Sequence, residues 1–403
     1  MIVETSVSEK ETPKRLFVPS LTLLVFATGG SAAVLALFLP EIAKTFLGSS
    51  DQVAVALASQ TGAVNSAAEV AVAFLISLLA VRFRHKSILL LGSMFLIIFS
   101  VGGFFAPDFI TFQVFFVIEG AGSVVISILS LTLIGDILPF NKKAKAISWV
   151  MAGTAMASLV GMPILLLIAN SVSWRYVFIL FAFPTSVISL ILGSVGIPSR
   201  PREQQSVIGK NSYSESFRLV LSNRSCTFCL IGSIVGNAAM VPLFVLAFYR
   251  QQFSLSLDLT VGIALANAAL FVVGYVASGR LVNKFGAMPT AVICSLLSGI
   301  FIIVFFNMPF LSLALTFNFA HVIFKAFSIP AIMFVVVGQV QKSRGTLMSL
   351  ESISANVGKA IGVVVGGLLL ALFSYQALGI GFGAMTIALA AIYFFLVKQP
   401  KET

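Results

Sequence analysis

Long apolar runs separated by short polar segments dominate the chain. Eight of these runs contain no Asp, Glu, Lys or Arg. Each is long enough for a helix, rising about 1.5 Å per residue, to cross a hydrocarbon layer of about 30 Å. The runs do not alternate apolar and polar residues as transmembrane strands would, so the pattern predicts membrane-spanning helices. The eight runs are Leu16–Pro40, Ser87–Pro107, Ala146–Trp174, Tyr176–Ser199, Ser225–Tyr249, Leu259–Gly279, Phe285–Phe324 and Ala360–Val397.

The last two runs exceed one crossing and must turn back. Helix-breaking residues at Asn307–Pro309 and Ser374–Gln376 mark the expected turns. Charged residues interrupt three further predicted spans, which are Gln52–Val81, Phe109–Leu138 and Gly345–Leu372. Gly345–Leu372 includes the first half of the run Ala360–Val397, so the total is twelve spans, numbered here in chain order. The chain is therefore predicted to be an all-α polytopic membrane protein.

The composition agrees with this prediction and excludes the soluble classes. Of the 403 residues, 59% are apolar and 10% are charged, with a mean hydropathy of +1.07. Soluble domains average about 45–50% apolar and about 25% charged residues. The sequence therefore excludes a soluble enzyme, a nucleic-acid-binding protein, a disordered chain and a disulfide scaffold.

The basic residues lie mostly on one side of the predicted helices. Twenty Lys and Arg flank the termini and the connections that follow even-numbered spans, whereas Lys44, Arg175 and Arg250 follow odd-numbered spans. Lys and Arg concentrate on the cytoplasmic side of membrane proteins, so both termini are predicted to be cytoplasmic in a chain that crosses the cell membrane. This asymmetry accounts for most of the net charge of +11 without a nucleic-acid partner.

A polar segment in the middle of the chain divides the spans into two sets of six. Residues 199–224 are rich in Ser, Arg, Gln and Asn, which predicts a cytoplasmic linker between an N-terminal bundle, 1–198, and a C-terminal bundle, 225–403. The segments after spans 2 and 8 align, with Arg82 matching Lys284 at an offset of 202 residues. Such similarity is typical of parallel repeats related by an axis along the membrane normal.

These two segments resemble a motif of the major facilitator superfamily of secondary transporters, and within it of the drug and sugar efflux branch of proton antiporters. The family motif is close to G-x-L-x-D-R-x-G-R-R/K. The second copy here has Gly279, Lys284 and Gly286, with Asn283 in the place of the Asp, and the first copy keeps Arg82. The resemblance implies two pseudo-symmetric six-helix bundles and a role for these residues in conformational change.

Spans 4 and 5 carry further parts of the likeness. Gly161 and Pro163, followed by Trp174–Phe178, resemble the G-x-P and W-R-x-x-F elements of the efflux antiporters. Gly and Pro let two helices approach closely and bend, as an interface that rocks requires. Asp136, at the end of span 4, resembles the gating acidic residue of the family. Phe116 stands where the family has an Arg that is associated with proton coupling.

Four charged residues fall well inside predicted spans, namely Glu69, Glu119, Lys325 and Lys359. A charge at the centre of a spanning helix costs at least about 2.5–3.5 kcal/mol on insertion scales, so each is a functional candidate. His321 lies four residues before Lys325 and therefore on the same helix face. Our hypothesis is that Glu119 or Glu69 binds and releases a proton. The alternative is that Glu69 with Lys359, and Glu119 with Lys325, form structural ion pairs.

In the resembled fold, helices 1, 4, 7 and 10 line a central cavity, and helix 2 packs near helix 11 at the seam between the halves. The resemblance therefore implies that Glu119, His321 and Lys325 face the cavity, and that Glu69 and Lys359 lie at or beside the seam. Small polar residues inside the cavity-lining spans are further candidates for binding the substrate or a proton, and they are Ser31, Ser123, Asn237 and Asn318.

The predicted function is secondary active transport of a small organic solute by alternating access, as proton-coupled efflux of an amphipathic, drug-like compound or metabolite. A cavity lined by some of the 38 Phe residues would suit an amphipathic solute, but helix faces that contact lipid favour Phe equally, so the composition does not decide the solute. The alternatives are an organic anion or sugar transporter of the same fold, acting as an exchanger or uniporter, and a non-transporting membrane sensor.

The sequence contains no metal-binding or catalytic motif, so we expect neither an enzyme nor a cofactor. The expected energy source is a proton gradient. The expected partners are the solute and the lipid bilayer, and the chain is expected to be a monomer.

Overall fold

The computed structural model describes residues 15–49, 52–82, 84–198, 213–239, 241–340 and 343–399. Every regular element in these ranges is a helix. Residues 199–212, which form most of the predicted linker, lie outside the described ranges.

The helices follow the order of the twelve predicted spans and are numbered accordingly. The first six are α1 (Phe17–Leu47), α2 (Gln52–Arg82), α3 (His85–Phe105), α4 (Phe109–Ile137), α5 (Phe140–Ser171) and α6 (Phe178–Gly196). The others are α7a (Arg224–Ala238), α7b (Val241–Gln252), α8 (Leu257–Phe285), α9 (Ala287–Asn307), α10 (Leu311–Gly338), α11 (Arg344–Leu372) and α12 (Tyr375–Leu396). A short helix, Tyr213–Ser222, precedes α7a and is called the linker helix.

Most of these helices can cross a membrane by length and composition. In the described ranges nine are long and apolar enough, or ten if the linker helix and α7a, which are bent by 81°, form one span. Helix α2 carries a polar face with Asn65, Ser66 and Glu69, and span 7 is divided into two short pieces. The chain is therefore an all-α polytopic membrane protein, as the sequence predicts.

Both predicted turns are confirmed. Helix α9 ends at Asn307 and α10 begins at Leu311, while α11 ends at Leu372 and α12 begins at Tyr375. The Ser374 hydroxyl accepts a hydrogen bond from the Ala377 backbone N–H, so it caps the start of α12.

Two helices differ from the prediction because proline acts differently in each. Helix α1 does not end at Pro40 but continues to Leu47 through a kink at Phe38, where φ is −113° and ψ is 18°. Span 7 is not continuous, because Ala239 leaves the helical conformation with a ψ of 73°. Pro242 is the second residue of α7b, where its missing N–H breaks no helical hydrogen bond.

The two sets of helices pack together along two seams. Within the first set, α1 contacts α5 and α6, and α4 contacts α2 and α3. Within the second set, α9 contacts α10 and α12, and α11 contacts α7a. The seams between the sets are formed by α5 with α8 and by α2 with α11.

The two ends of the bundle are packed differently. We call the end with Arg84, Lys142 and Lys284 the basic face and the other end the opposite face. The core at the basic face is shared, since Ile134 and Ile147 of the first set cluster with Val336 and Met348 of the second. At the opposite face each set has its own aromatic core, around Phe112 and Trp174 in the first and around Phe248 and Phe305 in the second. The helices are therefore joined at the basic face and separately packed at the opposite face.

Candidate functional site

A cavity of about 700 Å³ lies between the two sets of helices. Its lining residues follow helical spacing, as shown by Glu351, Ala355 and Lys359 on α11, which are four residues apart and so share one face. In the described part of the chain, five acidic or basic side chains line the cavity, and they are Glu69, Glu119, Lys325, Glu351 and Lys359. Both sets of helices thus bring charge into a space that is also lined by apolar side chains and by neutral polar ones such as Ser66, Ser127 and Thr154.

Glu119 is held by donors from two helices of the first set and is only 2% exposed. Its carboxylate accepts hydrogen bonds from the Ser123 hydroxyl, one turn further along α4, and from the Asn65 amide of α2 at 2.5 Å. Asn65 also donates to the Phe116 carbonyl at 2.8 Å. A Cβ at Gly120 would lie 2.7 Å from the Asn65 carbonyl oxygen, so glycine permits the close approach. These donors offset the hydration that a buried carboxylate loses.

Lys325 enters the cavity from α10, and its ammonium donates to the Gly236 carbonyl of α7a at 3.3 Å. Beside it, the Asn237 amide donates to the Ser233 carbonyl at 2.9 Å. The Ser233 hydroxyl in turn donates to the Glu351 carboxylate at 2.9 Å. Helices α7a, α10 and α11 therefore bring a cation, an amide and a carboxylate together on one side of the cavity.

Glu69 and Lys359 lie where α2 packs against α11, which is the seam that the resemblance implies for them. The Glu69 carboxylate interacts with the Asn356 amide and the Lys359 ammonium across this seam. Lys359 also donates to the Asn356 side-chain oxygen at 3.3 Å. The three side chains therefore connect the two sets of helices beside the cavity.

Unlike the contacts of Glu69, the hydrogen bonds described for Glu119, Lys325 and Glu351 do not cross between the two sets of helices. Each joins residues of a single set. Glu119 and Lys325 were considered as an ion pair from the sequence, yet each has partners in its own set. The two sets can therefore move relative to each other without breaking these particular bonds.

His321 does not take the cavity position expected of it. Its ring is 4% exposed, and Nδ1 lies 3.0 Å from the Ser298 hydroxyl of α9. Residues four apart differ by about 40° around a helix and about 6 Å along it. The long Lys325 side chain reaches the cavity, whereas the shorter imidazole contacts α9. Asn318 likewise contacts a neighbour in its own set, the Asn267 side-chain oxygen of α8, at 2.9 Å.

Two other candidates cannot be placed by side chain. Ser31 lies in α1 and Arg82 is the last residue of α2, but the side chains of both fall outside the described part of the structure.

The cavity is closed toward the basic face by an ion pair between α4 and α11. The gating candidate Asp136 accepts a hydrogen bond from Arg344 at 2.5 Å, and His85 Nδ1 lies 3.8 Å from the same carboxylate. Arg344 also donates through Nε to the Val337 carbonyl at 3.0 Å and is 7% exposed. Asp136 therefore lies in a contact between the two sets.

Gly279 lies in the seam between the two sets where α8 packs on α5. A Cβ at Gly279 would lie 2.9 Å from the Lys145 Cα and 3.0 Å from the Ser148 hydroxyl. At the end of α8, Asn283 and Lys284 are exposed. Gly286 has a φ of +90°, which favours glycine and separates α8 from α9.

Gly161 packs within the first set rather than at the interface expected for it. A Cβ at Gly161 would lie 3.2 Å from the Phe181 ring of α6, and Pro163 lies inside α5. The structure therefore places this element at an α5–α6 contact.

The sequence analysis did not select three residues that the structure brings into the site. Glu351 interrupts span 11 and lies eight residues before Lys359, a spacing that could have identified it as facing the same way. Asn65 is a large polar residue four residues before Glu69 in span 2, which is also a usable signal. Arg344 gave no such signal, because at a helix end a cation is ordinary topology.

The comparisons with known proteins cover most of the chain at the level of family and fold, and a smaller part of it at the level of a single relative. The family model described as Major Facilitator Superfamily matches residues 21–320 and again 227–403. An uncharacterized MFS-type transporter, YtbD of Bacillus subtilis strain 168, is 24% identical over 154 residues, which is 38% of this chain and 38% of that protein.

Solved structures share the fold at low identity. The proton:xylose symporter XylE, bound to 6-bromo-6-deoxy-D-glucose, has a TM-score of 0.82 at 16% identity, covering 96% of each chain. The human organic anion transporter MFSD10 has a TM-score of 0.79 at 14% identity, covering 95% of this chain and 100% of that one. The E. coli fucose:proton symporter FucP has a TM-score of 0.74 at 11% identity, with coverage of 95% and 98%.

Proposed function

The chain belongs to the Major Facilitator Superfamily, a family of membrane transporters that work by alternating access, and from this premise we propose that it couples proton movement to the efflux of a small amphipathic organic solute. The observation that carries this proposal is the cavity between the two sets of helices, with Glu119 on one side and Lys325 on the other. Charge inside a membrane protein is typical of ion and proton pathways.

In this mechanism Glu119 or Glu69 binds the proton. Glu119 is hydrogen-bonded within its own set, so it can move with α4 as a unit. Glu69 faces Lys359 across the α2–α11 seam, so a rocking motion changes the separation of these two charges. A proton that binds one of these carboxylates therefore alters the attraction between the halves, which is what coupling requires.

The lining supports an amphipathic solute. Apolar side chains such as Leu35, Phe116, Met151 and Ile329 face the same space as the five charged residues. An apolar wall with a few convergent polar groups is typical of small-molecule sites. The direction of transport, efflux, rests on the resemblance of the span 5 and loop elements to the efflux antiporters.

A second candidate is transport of an organic anion. It is favoured by Lys325 and Lys359, which bring two ammonium groups to one cavity. The organic anion transporter MFSD10 shares the fold. The cavity also has neutral hydrogen-bonding groups, such as Ser127, Thr154 and Ser158, that suit a sugar, so the test below includes a sugar as well as an anion.

The proposal also covers the domain organisation, the membrane location and the oligomeric state of the protein. The chain comprises bundles 1–198 and 225–403 joined by the linker 199–224, crosses the cell membrane with both termini in the cytoplasm, and acts as a monomer without a cofactor.

The test is transport by the purified protein in proteoliposomes with an imposed pH gradient. Ethidium, p-aminohippurate and D-xylose serve as probes for a cation, an anion and a sugar. Glu119→Gln is compared with Glu41→Gln. Glu41 is an exposed residue near the end of α1 at the opposite face, so this control makes the same chemical change away from the cavity. We expect ethidium transport to follow the gradient in the parent and in Glu41→Gln, and to lose that dependence in Glu119→Gln.

Two results would overturn the proposal. Gradient-driven transport in Glu119→Gln and Glu69→Gln equal to the parent would remove the coupling role of these carboxylates. Transport of p-aminohippurate but not ethidium, lost in Lys325→Gln, would establish the second candidate instead.

A further inference from the structure

A second cavity, of about 740 Å³, lies at the basic face between α1 and α5. On α5 it is lined by Lys142, Lys145 and Trp149, whereas Met151 and Thr154 of the same helix line the central cavity. These two sets lie on different faces of α5. We call the second cavity the α1–α5 groove, and it is separate from the site proposed for the transported solute.

The groove opens to the outside of the bundle, since Pro19, Lys142 and Lys145 at its edge are exposed. Along α1 it is lined by Val18, Thr22 and further apolar residues that recur at helical spacing. The Thr22 hydroxyl donates a hydrogen bond to the Val18 carbonyl at 3.0 Å. Because this polar group already has a partner within α1, the α1 side of the groove offers a mainly apolar surface.

One end of the groove is cationic. Arg15, Lys142 and Lys145 all line it, and in the described part of the chain no Asp or Glu does. Trp149 lies between the cationic end and the apolar wall, and Trp is enriched at the level of lipid headgroups.

We propose that the α1–α5 groove binds one anionic phospholipid. The headgroup phosphate lies at Arg15, Lys142 and Lys145, and an acyl chain lies along the apolar wall formed by α1. The charge and the apolar length of the groove together match this ligand, because a free phosphate would use only the cationic end and a neutral lipid only the wall.

The position of Lys145 links this groove to the closed basic face. Its side chain lines the groove, while its backbone packs on Gly279 of α8, where a Cβ would lie only 2.9 Å from the Lys145 Cα. A lipid that holds the start of α5 therefore favours the arrangement in which α5 and α8 are packed together at this face.

The experiment measures lipid binding to the full chain in dodecyl maltoside by native mass spectrometry. Dioleoylphosphatidylglycerol is titrated against dioleoylphosphatidylcholine, with free glycerol 1-phosphate as a separate competitor. The groove variant combines Arg15→Gln, Lys142→Gln and Lys145→Gln. Its matched control removes three exposed basic-face cations outside the groove, with Arg84→Gln, Arg218→Gln and Arg280→Gln.

We expect the parent and the control to prefer phosphatidylglycerol. The groove variant should lose about fivefold in affinity per cation removed. Thr22→Trp, which keeps the charges but fills the apolar wall, should also weaken phosphatidylglycerol binding.

Three results would overturn the proposal. The first is equal affinity for the two lipids in the parent. The second is an equal loss in the groove variant and its control, which would indicate a diffuse surface charge. The third is displacement of the lipid by glycerol 1-phosphate with Thr22→Trp unchanged, which would indicate a free-anion site.

Discussion

Glu119 and His321 are both buried ionisable residues inside apolar helices, and the structure uses them differently. The sequence identified both because a polar side chain in a spanning helix is rare. It could not identify their partners, since Asn65 lies 54 residues from Glu119 and Ser298 lies 23 from His321. Such pairs depend on how each helix is rotated in the bundle. That rotation is set by packing and cannot be deduced from helical spacing alone.

Asp108 offers a test at a single helix end, outside the membrane-spanning segments. Its carboxylate accepts hydrogen bonds from the Thr111 backbone N–H at 2.8 Å and from the Thr111 hydroxyl at 3.0 Å. These bonds hold the pKa of Asp108 below its ordinary value of 3.8. The stabilisation is therefore present above the unfolded-state pKa and is lost as the pH falls through the lower folded-state pKa.

We expect Asp108→Ala to lower the apparent melting temperature at pH 7, with a difference from the parent that shrinks at acidic pH. Asp108→Asn, which keeps a capping oxygen, is the control and should stay closer to the parent. Thermal unfolding in detergent across this pH range makes the measurement. Equal melting temperatures for the parent and Asp108→Ala at pH 7 would contradict the capping role.

At the scale of helices, local sequence signals located most turns but not every break. The residues at 307–309 and 374–376 marked helix ends correctly, because they combine poor helix formers with a change of chain direction. Proline was ambiguous, since Pro40 is accommodated two residues after a kink in α1, whereas Pro242 follows a true break before α7b. Whether a helix kinks or ends at proline depends on the neighbours that satisfy its backbone.

The α5–α8 contact gives a prediction about helix packing. A side chain at Gly279 would meet the α5 backbone at 2.9 Å, which cannot yield without moving one of the helices. We expect Gly279→Leu to separate α5 from α8 at the basic face and to impair transport. Gly262→Leu is the matched control in the same helix, because nothing lies within 4 Å of a Cβ at that position.

The measurement is maleimide labelling of a cysteine introduced at Ser148, beside Gly279, after Cys226, Cys229 and Cys294 are replaced by Ser. Faster labelling in Gly279→Leu, but not in Gly262→Leu, is the expected result. The same slow labelling in both would mean that this glycine does not keep the seam closed.

At the scale of the whole molecule, the shared core at the basic face and the two separate aromatic cores at the opposite face describe an outward-facing state, if the basic face is cytoplasmic as predicted. The sequence indicated twelve helices in two halves, but it could not indicate which ends touch. Both faces are rich in apolar residues, and alternating access requires that the same side chains pack in one state and separate in another.

The ion pair between Asp136 and Arg344 is a charged contact that joins the two sets at the basic face in this state. Losing a hydrogen bond between charged groups costs about 1.5–3 kcal/mol, so we expect Asp136→Asn to increase the population open at the basic face about tenfold or more. Spin labels at Asn141→Cys and Arg280→Cys, in a chain without its native cysteines, report the distance between the two sets.

A longer distance in Asp136→Asn is the expected result, and the exchanged pair Asp136→Arg with Arg344→Asp should restore part of the short distance. The pair would have no role in closure if the distances in Asp136→Asn and the parent coincide, or if the exchanged pair opens as far as the single variant.

The lining of the central cavity has a consequence for stoichiometry. When all five groups are ionised, the three carboxylates and two ammonium groups leave one negative charge in excess, and a single added positive charge makes the space electroneutral. In surroundings of low dielectric constant, neutral combinations are strongly favoured over charged ones. A solute with one positive charge, such as the ethidium probe, would therefore compete with one proton to supply that charge, and this competition would exchange one for the other without a shared binding atom.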